Sequence, residues 1–388
     1  MSEGFPKAYY RFHADANLNF QLNRCLTWAG EEARERLAEA GRKIADFGDW
    51  KRELSALAAR AEAGGERRQA AYFYRAAEFF MRAGDPDKET AYERFVGLID
   101  AEFPECAAAR VLVPYEGSFL PAWRIGAPRP KGVIVMHGGF DSFIEELYPM
   151  VMRLRDRGFD LILFEGPGQG AALSRYGLPM TANWGKPVAA VLDFFGVEDT
   201  TLIGMSLGGC LALRAAAADL RIKRVIAFDA LYDFRECLMS KLGGRRPIVE
   251  ALMALGAYSL IDRLVARAAT RSLLVAWGIA QGMRTTGTAK PSGYLRALGA
   301  YTTRDISASV GQDVLLLAGN ADHFVPVSQF YRQAEALSSA RSLTARLFTE
   351  AESAQNHCQV GNIGIAFETM LSWIEERSGV GAGFGAGA

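Results

Sequence analysis

A chain of 388 residues, half of them hydrophobic and 11% aromatic, can build a large core and more than one structural unit. Its 44 Lys+Arg balance 44 Asp+Glu, so no charge excess points to nucleic acid or an anionic membrane surface. The cysteines (Cys25, Cys106, Cys210, Cys237 and Cys358) are dispersed, with no C-x-x-C, which excludes a disulfide framework or zinc ribbon and leaves reduced packing residues. The opening MSEGFPKAYYRFHADAN has no apolar run behind a basic region, and no apolar stretch approaches a membrane span. The expectation is a cytoplasmic protein.

Residues 17 to 103 read as helices. In Gln69–Gly84, Ala70, Phe73, Tyr74, Ala77, Phe80 and Met81 recur at helical spacing. Asp85-Pro86 is expected to cap and start the next helix. No second copy appears at a fixed period, which argues against a repeat array. From Arg110 the texture changes to short strands. Val111–Val113 and Phe119–Ile125 flank a Glu116-Gly117 turn and predict a hairpin. A buried strand from Lys131 then runs into His137-Gly138-Gly139. A helix over Ser142–Arg157 follows, with Ser142-x-x-Glu145 as its capping box. Next come a strand over Asp160–Phe164, a helix over Pro187–Phe195 and a strand ending at Met205. The remaining strands are Arg224–Phe228, Asp313–Ala318 and Thr344–Phe348, with a last helix over Val360–Glu376. Strands alternating with helices predict an α/β architecture with a mostly parallel central sheet and helices on both faces. Residues 232–308 show no convincing strand and are expected to form a helical cap outside the sheet. The Gly/Ala-rich 379–388 is expected to be disordered.

Gly204-Met205-Ser206-Leu207-Gly208 stands between an apolar strand and an Ala/Leu-rich helix, the setting of a nucleophile elbow. Such a serine takes an acid and then a histidine in chain order. Asp322 follows the apolar strand 313–318, and His357 lies between the last strand and the last helix. Loops at the C-terminal ends of parallel strands are where α/β sheets bind ligands. His323 is a rival base, but its neighbour's backbone aims it away from Asp322. His137 is expected to shape the glycine loop, and His13 has no evident partner. An oxyanion needs donors: the backbone N–H of Leu207 is one, and the other is expected from Gly139 or Phe140. Asp229, Asp233 and Glu236 follow the strand after the elbow and read as loop or helix-end charges.

The runs 137–147 (His-Gly-Gly-Phe-Asp-Ser-x-x-Glu-Glu-Leu), 164–170 (Phe-Glu-Gly-Pro-Gly-Gln-Gly), 204–209 and 356–362 (Asn-His-Cys-Gln-Val-Gly-Asn) carry a resemblance. Together they resemble one group of α/β-hydrolases: the dihydroxypseudooxynicotine hydrolases, the fungal polyketide-shortening hydrolases and relatives of the fermentation-respiration switch protein. The resemblance implies an α/β-hydrolase fold, a Ser206-Asp322-His357 triad and a site under a helical lid. It also implies cleavage of an ester or of a carbon–carbon bond next to a ketone, without cofactor or metal. A small apolar molecule, aromatic or polyketide-like, is the expected substrate, with Trp277, Tyr294 and Tyr301 as contacts. The same site could serve a cyclase or acyltransferase; a binding scaffold with a vestigial triad is the remaining alternative. The expected units are 1–105 (helical), 106–231 with 309–378 (catalytic core), and 232–308 (cap). The first is expected to dock on the core, closing the site or forming a homodimer contact.

Overall fold

The computed structural model describes residues 4–378. The tail at 379–388 lies outside them. The strands are β1 (Arg110–Tyr115), β2 (Ser118–Ile125), β3 (Val133–His137), β4 (Asp160–Phe164), β5 (Thr200–Met205), β6 (Ile222–Phe228), β7 (Asp313–Gly319) and β8 (Ser342–Phe348). They form one mixed sheet in the order β1-β2-β4-β3-β5-β6-β7-β8. β1 and β2 pair as an antiparallel hairpin and β2 runs antiparallel to β4, while β4 through β8 are parallel.

β4, β5 and β7 are buried at every position, as strands covered on both faces must be, and their sequences are accordingly runs of Leu, Ile and Val rather than alternations. The period of two still sorts the side chains between faces. Ile134, Met136, Ile203 and Met205 join the cluster that holds Trp50, Phe73 and Phe95 of the N-terminal helices and Trp373 of the last helix. Val135, Leu202, Val225 and Val314 point the other way, onto helices Gly185–Phe195 and Leu207–Ala216. The first face is touched directly by helix Tyr148–Asp156 and by the last helix, and its cluster extends from them to the N-terminal helices.

Those helices include Ala16–Ala29, Phe47–Ala63, Arg67–Phe79 and Lys88–Glu102. The one predicted over 69–84 stops at Phe79, where the Met81 N–H turns back to the Glu78 carbonyl (3.0 Å). The next starts at Lys88, so Asp85-Pro86 does not cap it. Asp85 instead accepts from the N–H of Asp87 and pairs with Lys51. The box at Ser142-x-x-Glu145 is also corrected. The chain enters a 3-10 turn at Ile144–Leu147 and then helix Tyr148–Asp156, and it is Glu146 that returns to the N–H of Phe143 (3.0 Å). Between β6 and β7 lie helices Phe234–Ser240, Arg246–Ala254, Tyr258–Ala269, Leu273–Thr286 and Pro291–Ala297. One isolated bridge, Asp233 to Thr302, is the strand-like pairing there among the described residues. No helix among them is long and apolar enough to cross a membrane.

Candidate active site

Ser206 sits between β5 and helix Leu207–Ala216 at φ 61°, ψ −126°. A non-glycine residue there costs on the order of 1–3 kcal/mol and persists only where its surroundings fix it. Here the Ser206 N–H donates to the carbonyl of Phe228 (2.5 Å), and its own carbonyl accepts from Gly209 (2.9 Å). The motif's glycines allow the crossing to be tight. A Cβ on Gly204 would collide with the Gly208 carbonyl, and one on Gly209 with the carbonyl of Asp229.

His357 lies in a short turn after β8, and Asp322 in the turn after β7. His357 Nε2 is 2.8 Å from Ser206 Oγ, and its Nδ1 is 2.6 Å from Asp322 Oδ2. Asp322 Oδ1 accepts from the N–H groups of Phe324 (2.7 Å) and Val325 (3.0 Å), which fix the carboxylate. A second carboxylate stands behind the ring: Asp229 Oδ2 is 3.2 Å from His357 Nδ1 and accepts from the Cys358 N–H at 2.8 Å. Burial opposes charge on His357, yet the charge of Asp322 and the bonds to both carboxylates hold the imidazolium well above its ordinary pKa. Burial also opposes the Asp322 carboxylate, but His357 and the two N–H donors keep it below the usual range. Asp229, wholly buried, is pushed up to about 6.

The loop after β3 faces the elbow. A Cβ on Gly139 would lie 2.7 Å from the Met205 carbonyl and 2.9 Å from Ser206 Cβ. The Gly139 N–H is spent on Ser142 Oγ (3.2 Å), so of the two expected donors it is Phe140 whose N–H has no acceptor among the described residues. The Leu207 N–H opens its helix and has no intrahelical acceptor. Gln169 holds the loop from behind, donating to the carbonyls of Gly138 (2.6 Å) and Gly139 (3.0 Å). His137 receives the Trp184 indole N–H at Nε2 (3.1 Å) and therefore donates from Nδ1 to the Gly138 carbonyl (2.9 Å). Burial lowers its pKa to about 4, so it stays neutral. Its neighbour Glu165 accepts from Ala171 (2.7 Å) and Ile144 (3.3 Å) and is pushed by burial up to about 8.

Other predicted residues fall elsewhere. His323 packs on Phe324 (ring centroids 3.9 Å) and Phe20 (5.0 Å), and burial lowers it to about 4. His13 bridges the Ile44 carbonyl and the Asp15 N–H. Asp233 caps helix Phe234–Ser240 through the Glu236 N–H, and Glu236 pairs with Arg246 (2.7 Å), so both serve helix ends. Trp277 packs tilted on Phe79 and edge-on to Phe80, against the N-terminal helices. Tyr294 and Tyr301 are buried in the core beyond the elbow, and the Tyr301 hydroxyl donates to the Met180 carbonyl (2.8 Å). They pack, and no described contact brings them to Ser206. The aromatic neighbours of the relay are instead Phe20, 6.2 Å from the His357 ring, and Phe324, 5.2 Å from it. Among the described residues, Asp229, His357 and Cys358 are the group close enough to hold a metal ion. Their donor atoms are already committed to one another and to Asp322, and burial keeps the Cys358 thiol protonated.

A family model described as the alpha/beta hydrolase fold matches residues 132–354. The chain is 28% identical to "Hydrolase acrC" of Aspergillus aculeatus over 81% of each protein. It is 27% identical to "20-hydroxy-prefusarin hydrolase FUS2" of Gibberella moniliformis, over 94% of this chain and 97% of that one. Among solved structures, the 2,6-dihydroxy-pseudo-oxynicotine hydrolase superposes with a TM-score of 0.63 at 21% identity, covering 91% of this chain and 95% of its own. That likeness is one of fold.

Proposed function

The chain belongs to the α/β-hydrolase fold family, and on that premise we propose that it is a serine hydrolase cleaving an ester, or a carbon–carbon bond next to a ketone, in a medium-sized apolar substrate. In this scheme Ser206 Oγ adds to the carbonyl carbon while His357 Nε2 takes its proton. Asp322 holds the ring in the tautomer that leaves Nε2 free. The N–H groups of Leu207 and Phe140 receive the oxyanion. Collapse of the adduct expels the alkoxide or the enolate carbon, to which His357 returns the proton, and water then releases the acyl group from Ser206 by the same steps. No cofactor enters.

The observation that carries this reading is the 2.8 and 2.6 Å relay ending at a serine held at positive φ. The apolar substrate is supported by the rings of Phe20 and Phe324 around the relay, by Phe140 packed on Phe234, and by the relative named for 20-hydroxy-prefusarin. The helices between β6 and β7 are the proposed cap. A fluorophosphonate probe should label Ser206. Ser206→Ala should remove the label and, on a turned-over substrate, on the order of a million-fold in rate. His357→Ala should be comparably inactive and His323→Ala active; the reverse pattern assigns the base wrongly.

A further inference from the structure

We propose that Arg75, acting with Arg24 and Glu146, is a positioning residue that holds the oxyanion loop from the N-terminal helices; the inference rests on Ser206 as nucleophile. The segment immediately after Phe140 is gripped by side chains far away in sequence. Arg75, in helix Arg67–Phe79, donates from Nε to Glu146 Oε1 (2.7 Å) and from Nη2 to the carbonyl of Asp141 (2.6 Å). Its Nη1 reaches Glu78 Oε2 at 2.6 Å, and its plane lies 4.4 Å from the Phe143 ring centroid. Arg24, in helix Ala16–Ala29, donates to Asp141 Oδ1 (3.1 Å) and Glu146 Oε2 (2.8 Å). The Tyr72 hydroxyl donates to the Glu146 carbonyl at 3.1 Å, and Glu146 Oε1 also receives the Phe143 N–H.

Arg75, Glu78 and Glu146 are all buried, and Lys88 closes the network on Glu78. Three cations (Arg24, Arg75, Lys88) face three carboxylates (Asp141, Glu78, Glu146), so the cluster is neutral. Desolvation largely cancels the attraction in such a cluster, and apolar side chains would fasten two helices to a sheet as well. What the ions add is direction. One planar guanidinium fixes the Asp141 carbonyl and a carboxylate that itself holds the Phe143 N–H, a geometry a point charge cannot reproduce. The fixed carbonyl belongs to the residue after Phe140, the proposed second oxyanion donor. Slack there would re-aim that donor.

The test measures phosphonylation of Ser206 by the fluorophosphonate probe in the full chain, separating the limiting rate from the half-saturating concentration. Arg75→Lys keeps the charge and loses the fork; Glu146→Gln keeps the shape and loses the charge. Each should lower the limiting rate about 10- to 100-fold with half-saturation unchanged, since a misplacement near 1 Å or a weakened oxyanion donor has effects of that order. A wild-type limiting rate in folded Arg75→Lys, or a loss confined to half-saturation, overturns the proposal. If Arg75→Lys does not fold, Glu146→Gln decides. If neither folds, the network serves stability and the positioning role falls. Failure of the wild-type protein to label at Ser206 is a separate result, and it removes the nucleophile itself.

Discussion

Two sets of helices flank the sheet, and they use their apolar residues in opposite ways. The N-terminal helices bury theirs: Trp50, Phe73 and Phe95 are fully enclosed, in the apolar cluster that also holds Ile134 and Met136. The helices between β6 and β7 are comparably apolar, yet Arg246–Ala254 buries no residue and Tyr258–Ala269 buries only Ile261. Ile248, Leu255, Leu260, Leu264 and Leu273 of that region lie on the surface. Composition alone therefore does not say which helices are structural. The first set is continuous with the core and grips the loop beside Ser206. In the second, helices Arg246–Ala254 and Tyr258–Ala269 turn most of their apolar side chains outward, while Tyr294 and Leu298 anchor the end of the segment in the core.

The sharpest way to break this contrast is to remove the first set. A chain beginning at about residue 106 should be insoluble or inactive, because it bares the apolar surface around Phe143 and Tyr148 on which Tyr92 and Phe103 pack. Normal folding and turnover of that fragment would make the N-terminal helices an appendage. A single substitution tests the same point more gently. Phe73→Ala should cost about 3–5 kcal/mol in chemical denaturation, the range for emptying a core aromatic site. The pH response follows from the relay beneath Phe20. Activity needs neutral His357, and the two carboxylates hold its pKa up, so the acid limb of kcat/KM should lie above pH 6.5 and fall about tenfold per unit below it. Asp229→Asn removes a charge that favours the imidazolium and should move that limb to lower pH. A limb at or below 6.5 in the native chain would contradict the described environment. The smallest effect belongs to the other set: Leu264→Ala should change stability by no more than about 0.5 kcal/mol. A loss like that of Phe73→Ala would show that this surface is covered in solution.

The parts legible in the sequence were those governed by local pattern and chain order. Apolar runs gave β4, β5 and β7, and the elbow glycines located Ser206. The loops after β7 and β8 drew notice to Asp322 and His357 because ligands gather at strand C-terminal ends. Asp229 reads in the sequence as a loop charge, with nothing to tie it to His357. Their approach depends on β6 lying beside β7 and on the turn 356–362 folding back over it, which no spacing reveals. Gln169 was visible inside the 164–170 motif, but its role as a donor to the Gly138 and Gly139 carbonyls depends on how two loops stack. Tyr294 and Tyr301 show the converse: an aromatic in a helical segment reads equally as contact surface or as packing, and here burial decides. Two expected helix caps are lost to tertiary partners, Asp85 to Lys51 and Glu145 to Arg110.

The close approach of Gly209 to the Asp229 carbonyl has a mechanical consequence. The helix that presents Ser206 rests directly on the strand end that backs the imidazole, with no room for a methyl group between them. The proposed nucleophile and base are thus mounted on one bearing. Any substitution that thickens the helix at this point displaces the carboxylate behind His357 along with the serine in front of it, so alignment of the relay is set by the thickness of a glycine.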